Sequence, residues 1–244
     1  MSLEDPGHVA APDAFYGLRE AAESPRYQAW LASYFAPYLQ GTVLEHGAGT
    51  GLLSHAMLEK GGFRMVLTEP EPHLVDVLRR RFESHPLVEI FLGTVEGYFK
   101  RHGAGIVNTI VSSNVLEHVP DDEHCLSVMF ELLRPGGVLG LYVPARPELY
   151  GEVDREVGHQ RRYRRRELKQ KLERSGFEIV SLHYRNLIGA LPWWISGRLL
   201  KKRKLNTASI RIFDSFVFPV SRKLEDLLPP PYGLNLMAIA TKPA

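Results

Sequence analysis

One cysteine, Cys125, is all the chain carries. An intrachain disulfide is therefore excluded, and nothing argues for an oxidising compartment. No apolar run is long enough to cross a bilayer, since the most apolar stretch, 187–200, is interrupted by Pro192 and Arg198. The N-terminus lacks the basic segment and apolar core of an export signal; residues 1–24 are polar, carry Pro6, Gly7 and Pro12, and are expected to form a flexible leader. Charge of one sign is not in excess, with 30 Lys and Arg against 28 Asp and Glu for a formal net of +2, so composition alone selects no polyanionic partner. Internal repeats and low-complexity tracts are absent. These absences point to a globular, cytoplasmic protein.

What is present is an alternation of short apolar runs with amphipathic segments. The 244 residues, 44% of them hydrophobic, suit one domain with an elaboration. A helix is expected from Ser24-Pro25, with Tyr27, Trp30, Leu31, Tyr34, Phe35 and Tyr38 at helical spacing. Strands are expected from Thr42-Val43-Leu44, over 64–68, 88–92, 106–112, 138–143 and 178–183, and over 234–241 to close the sheet. Helices are expected over 51–60, 73–82, 121–133 and after Arg165, with the turn Arg134-Pro135-Gly136-Gly137 separating a helix from the fifth strand. Strands alternating with helices predict right-handed crossovers. The fold class is therefore α/β: a Rossmann-like, doubly wound, mostly parallel seven-stranded sheet with an antiparallel closing strand and a helical lid insertion. Residues 25–244 read as a single domain, with 184–231 as the insertion.

Glu45-His46-Gly47-Ala48-Gly49-Thr50-Gly51 lies between the first strand and its helix. Glycines there permit a tight turn and let a ligand approach where a Cβ would clash. The spacing does not fit a dinucleotide fingerprint, because its sixth position is Leu52. Glu69 ends the second strand, where an acid accepts hydrogen bonds from nucleoside ribose hydroxyls.

The series Glu-x-Gly-x-Gly-x-Gly resembles motif I of class I S-adenosylmethionine-dependent methyltransferases. Ser113-Asn114-Val115-Leu116-Glu117-His118-Val119 resembles a segment of the ubiquinone-biosynthesis-like branch, and the similarity continues through Leu133-Arg134-Pro135-Gly136-Gly137. It covers roughly residues 40 to 145. The resemblance implies S-adenosyl-L-methionine as cofactor, held by Glu45, Gly47, Ala48, Gly49, Gly51, Glu69, Pro70, Gly93, Thr94, Val95, Asn114 and Val115. Glu45 would serve the ammonium end, commonly through water, and Gly93-Thr94-Val95 the adenine. Many relatives have Asp where this chain has Thr94, so backbone groups or Glu96 would take over that contact.

Gly158-His159-Gln160-Arg161-Arg162-Tyr163 resembles a segment of some bacterial methyltransferases, expected just past strand five. His159 is the candidate general base, with His118 and Glu117 as further catalytic candidates. Solvated connection, helix start and packing remain the plain alternatives for these residues. Glu117 and His118 with the distant His159 also resemble a metal-assisted arrangement, Glu-x-x-Glu-His plus a remote His. Asn114 stands in place of its first Glu, and no metal is assigned.

Trp193 and Trp194 precede Lys201-Lys202-Arg203-Lys204. Segment 187–204 thus suits a lid, a peripheral membrane contact or a subunit interface. The expected reaction is methyl transfer to a small-molecule or lipid-linked acceptor, oxygen favoured over nitrogen, by a monomer or homodimer. Nucleic acid is disfavoured. An RNA methyltransferase, a non-catalytic cofactor-binding protein and a nicotinamide oxidoreductase are the competing readings.

Overall fold

The computed structural model describes residues 25–188, 215, 218–228 and 230–244. The leader 1–24 and nearly all of the 187–204 segment lie outside the described residues, as does most of the insertion.

The elements run α1 (Pro25–Phe35), β1 (Gly41–His46), α2 (Leu52–Leu58), β2 (Phe63–Glu69), α3 (Pro72–Phe82), β3 (Val88–Leu92), α4 (Val95–His102) and β4 (Val107–Ser113). There follow α5 (Asp122–Leu132), β5 (Leu133–Pro144), α6 (Glu152–Glu156), α7 (Arg165–Arg174), β6 (Glu178–Arg185), α8 (Phe218–Leu227) and β7 (Asn235–Thr241). The sheet order is β3-β2-β1-β4-β5-β7-β6, with β7 antiparallel to both of its neighbours. The chain leaves β1 towards β2 and β3, then returns to place β4 on the other side of β1. That reversal opens a crevice beyond the carboxyl ends of β1 and β4, where open α/β sheets bind ligands.

Successive strand residues face opposite layers, so both faces of the sheet can be buried. Val43, Met65, Leu67, Val111 and Tyr142 pack with Trp30, Leu31 and Phe35 of α1, Met57 of α2 and Leu78 and Phe82 of α3. Leu44, Val66, Ile110, Leu141 and Val143 pack instead with Tyr98 of α4, Leu126 and Met129 of α5 and Leu168 and Leu172 of α7. Burying each such aliphatic side chain contributes about 1.5–3 kcal/mol. Helix α1 lies so close to the sheet that a Cβ at Gly140 would stand 2.7 Å from the Phe35 ring.

Two expectations need correction. Helix α4 was not anticipated after Thr94: its eight residues are too few for a clear period, but the Thr94 hydroxyl caps it by accepting from Gly97 N–H at 3.3 Å. The stretch 134–137 is not a turn ahead of the fifth strand. It is a bulge inside β5, which pairs with β4 at Leu133 (with Val107) and again from Val138 (with Thr109). Gly136, at φ +74°, donates from its backbone N–H to Lys242 O at 2.9 Å, which keeps the bulge in the sheet.

Candidate functional site

The glycine loop is fastened to β2 from behind. Thr68 O accepts from Gly47 N–H and Ala48 N–H, each at 3.0 Å, and the Thr68 hydroxyl donates to Glu45 O at 3.0 Å. Gly47, Gly49 and Gly51 all have positive φ, +71°, +57° and +77°, a conformation that admits side chains poorly. Gly47 also needs the space: a Cβ there would lie 2.7 Å from Val115 Cγ2. Val115 thus closes against the loop across the crevice. Asn114 before it takes φ +52°, which asparagine tolerates, and so turns the chain sharply out of β4.

Two buried carboxylates converge on this loop. Glu69 Oε2 accepts from Gly49 N–H at 2.8 Å, and its Oε1 from Glu71 N–H at 3.1 Å. Glu45 accepts from the Ser54 hydroxyl. Burial pushes the Glu45 carboxyl up to about 8, against the Ser54 hydrogen bond, with the neighbouring Glu69 adding to the rise. Burial likewise raises Glu69 above its usual range. Among the described residues neither acid has a cation within ion-pair distance. A crevice with two uncompensated acids and a glycine cradle fits a ligand that carries positive charge and sugar hydroxyls.

Other expected contacts are placed less uniformly. Pro70 is exposed at the crevice rim. Gly93 N–H donates to Glu69 O at 2.9 Å, which sets the β3 terminus beside that acid. The Val95 side chain is fully buried in the core, so only its backbone is left to meet a ligand. The Thr94 hydroxyl is occupied in capping α4.

Beyond Asn114 the short helical turn Leu116–His118 brings the second set together. His159 Nε2 lies 3.6 Å from Glu117 Oε1, and the rings of His118 and His159 meet edge to face at 4.9 Å. Glu117 is fully buried, and neither of its oxygens has a hydrogen-bond partner. Burial pushes its carboxyl up to about 7, with the His159 charge opposing. The ligand atoms of Glu117, His118 and His159 lie within 4.8 Å of one another, and these are the residues that could hold a divalent ion.

Motif reading passed over Asp154 and gave Arg162, quoted only within the 158–163 segment, no role of its own. Asp154 Oδ1 accepts from Arg162 Nε at 2.7 Å and faces His159 Nδ1 at 2.8 Å, while its Oδ2 accepts from Gly151 N–H at 2.9 Å. Burial opposes ionisation of Asp154, but the His159 hydrogen bond and the Arg162 charge outweigh it and hold the carboxyl below its usual range. Asp154 is thus the hydrogen-bond partner of Nδ1. Nε2 is left turned towards Glu117. Glu152-Val153-Asp154 has no special motif, so only the five-residue spacing to His159 could have signalled the pair.

The segment is locked to its surroundings. Gln160 N–H donates to Glu117 O at 3.0 Å, and Gln160 Nε2 to His118 O at 2.7 Å. Buried Tyr163 donates to Leu116 O at 3.2 Å and lies 2.9 Å from Asp122 Oδ2.

Comparison with known proteins gives a consistent likeness. A family model described as a methyltransferase domain matches residues 19–182. An uncharacterized methyltransferase of Mycobacterium tuberculosis is 32% identical over 134 residues, which are 55% of this chain and 52% of that protein. A ubiquinone biosynthesis O-methyltransferase of Xanthomonas euvesicatoria is 35% identical over 100 residues, 41% of this chain and 41% of that one. The chain thus spans about half the length, or less, of these curated relatives. Among solved structures, a SAM-dependent methyltransferase from Archaeoglobus fulgidus superposes with a TM-score of 0.63 at 18% identity, over 93% of this chain and 100% of that one. At that identity the likeness is one of fold.

Proposed function

We propose, from the premise that this chain belongs to the methyltransferase-domain family, that it transfers a methyl group from S-adenosylmethionine to a small-molecule or lipid-linked acceptor, with oxygen favoured over nitrogen. The observation that carries this reading is the pair of buried carboxylates on the glycine loop, Glu45 and Glu69, the latter bonded to Gly49 N–H. When bound, the cofactor supplies an activated methyl group on a sulfonium. Glu69 would accept from the ribose hydroxyls, Glu45 would face the ammonium end, and Gly47 with Val115 would border the adenosyl group.

On the acceptor side, His159 Nε2 would take the proton that an acceptor hydroxyl loses on methylation. Transfer would leave a methyl ether, the demethylated cofactor and that proton on His159. Asp154 holds the ring in the productive tautomer and stabilises the imidazolium. Alignment of donor and acceptor in a water-excluding crevice supplies the rest, roughly 7–11 kcal/mol for well-oriented reactants.

Isothermal titration with the cofactor and its demethylated product is the test. Saturable micromolar binding of both is expected; no heat at high micromolar protein would overturn the assignment. A second reading is favoured by the Glu117, His118 and His159 ligand set. There a divalent ion would lower the pKa of the acceptor hydroxyl, in place of a free base. Turnover lost to a chelator and restored by Mg²⁺ or Zn²⁺ selects that reading; turnover indifferent to chelation selects the base.

A further inference from the structure

A second hollow opens at the same carboxyl edge of the sheet, over β5, β7 and β6. Its volume is about 510 Å³, and Arg146, Arg164, Arg165, Arg166, Lys169 and Tyr184 line it. The strand register brings Pro144, Arg185 and Asn235 level at this edge, so the hollow and the glycine crevice open on one side of the molecule.

Arg146 is built into place. It leaves β5 with φ +65°, unusual for a side chain of its size, and its guanidinium lies over Tyr184 at 4.6 Å and over Tyr232 at 4.0 Å. Contact with two rings restricts the side chain before any ligand arrives, which lowers the ordering penalty of binding. Arg165 and Arg166 come from the first turn of α7, Arg164 is the residue before it and Lys169 begins the next turn. The acids do not balance them. Glu148 serves both Arg146 at 3.4 Å and Arg164 at 3.5 Å, and Glu173 serves Lys169 at 3.5 Å. No carboxylate among the described residues pairs with Arg165 or Arg166. Among the described residues the five cations have two ion-paired acids, with Glu167 of the same turn accepting from Arg164 N–H at 3.5 Å. The field reaches nearby groups: burial, then the charges of Arg185 and Arg165, pushes the His183 imidazole below its usual range.

Clustered guanidinium groups, each a planar fork of N–H donors, can satisfy the several oxygens of a tetrahedral phosphate, more donors than a single carboxylate needs. One segment connects the two openings. Its early residues carry His159 and Arg162, its later ones Arg164 to Lys169, and Arg146 N–H donates to Tyr163 O at 2.9 Å where the two meet.

We propose that this hollow binds the phosphate or diphosphate group of the methyl acceptor while the acceptor's reactive end reaches the crevice. The proposal rests on the methyl-transfer reading above, and the test keeps the two separable. Inorganic pyrophosphate and geranyl diphosphate are titrated into the full-length protein at low and at physiological salt, in parallel with the demethylated cofactor. The double variant Arg165→Glu/Arg166→Glu is carried alongside. Both positions lie in the first helical turn, where glutamate is well tolerated, so the fold should survive. A circular-dichroism melt checks that it does.

Pyrophosphate binding that weakens steeply with salt is expected, as is at least a tenfold loss in the double variant with cofactor affinity changed less than twofold. Tighter binding of geranyl diphosphate assigns a lipid-linked acceptor and equal binding a soluble one; either upholds the site. Absent pyrophosphate binding at millimolar concentration, or equal binding by the folded double variant, overturns it. So does tight binding of a single-stranded RNA with no response to pyrophosphate, which gives the surface to nucleic acid. Pyrophosphate binding without cofactor binding overturns the acceptor assignment through failure of the methyl-transfer reading itself.

Discussion

Asp154 Oδ1 stands 2.8 Å from His159 Nδ1 and 2.7 Å from Arg162 Nε, so one buried oxygen ties the candidate base to a buried cation. The arrangement fixes which imidazole nitrogen is basic without placing Asp154 against the acceptor.

Replacing Asp154 by Asn tests that role. The amide keeps the shape but leaves the tautomer of His159 undetermined. Turnover should fall roughly a hundredfold, within the range that general base catalysis contributes. Affinity for the demethylated cofactor should stay within twofold, and the pH–rate profile should shift. An unchanged profile alongside lowered stability would reduce Asp154 to a packing role.

Arg162 is 4% exposed, and truncating it strands the Asp154 charge. Arg162→Met should destabilise the protein by about 3–5 kcal/mol, as breaking buried pairs does. Adding Asp154→Leu should recover a good part of that loss in chemical denaturation, because both charges are then gone.

Glu69→Gln should weaken cofactor binding about ten- to a hundredfold, the equivalent of about 1.5–3 kcal/mol for one charge-assisted hydrogen bond. Glu69→Ala should do more, since Gly49 N–H and Glu71 N–H lose their acceptor as well. Titration calorimetry of both variants separates the ribose contact from loop order.

At Gly47, alanine meets two obstacles, φ +71° and the Val115 methyl groups at 2.7 and 2.8 Å. Gly47→Ala should therefore lower stability by about 1–3 kcal/mol, the usual range for a strained backbone, and should impair cofactor binding. Val115→Ala should restore only the steric part. Full restoration by that second change would show that the backbone conformation is not limiting.

Glu45 makes stability and binding respond to pH in a defined direction. Its folded-state value, about 8, is above its unfolded one. The folded form therefore holds a proton that the unfolded form releases, and the associated stability is present below about pH 4.5 and lost as pH rises towards 8. Thermal melts of the ligand-free protein between pH 5 and 8 should decline less in Glu45→Gln than in the parent. A bound ammonium favours the carboxylate, so cofactor binding at pH 7 should release protons. Calorimetry in buffers of different ionisation enthalpy should detect that release in the parent and not in Glu45→Gln.

The glycine loop and its acid were legible as a structural unit because their geometry is local. Glycines at 47, 49 and 51 and an acid at 69 are dictated by turns and strand ends that lie within one βαβ unit, and the structure sets Glu69 directly on the loop. The strands were legible for the same reason, as period and composition mark them within a few residues. Helix α4 and the β5 bulge escaped, because the first is short and the second is defined by its pairing with β4 and with Lys242, far along the chain. Asp154 and Arg162 escaped for a related reason: a carboxylate and a guanidinium look solvated in sequence until the fold buries them together. The convergence of Glu117 with His159, 42 positions apart, was suggested only by resemblance, and the structure brings the two within 3.6 Å.

The reversed direction of β7 has a consequence for how such a scaffold diversifies. Because β6 ends and β7 begins at one rim, level at Arg185 and Asn235, the chain between them departs from the ligand-facing edge and comes back to it. Residues gained or lost in that span change the length of a connection that starts and ends at this rim and leave the strand order as it is. That one connection can therefore vary in length while the antiparallel pairing of β7 with β5 and β6 is kept.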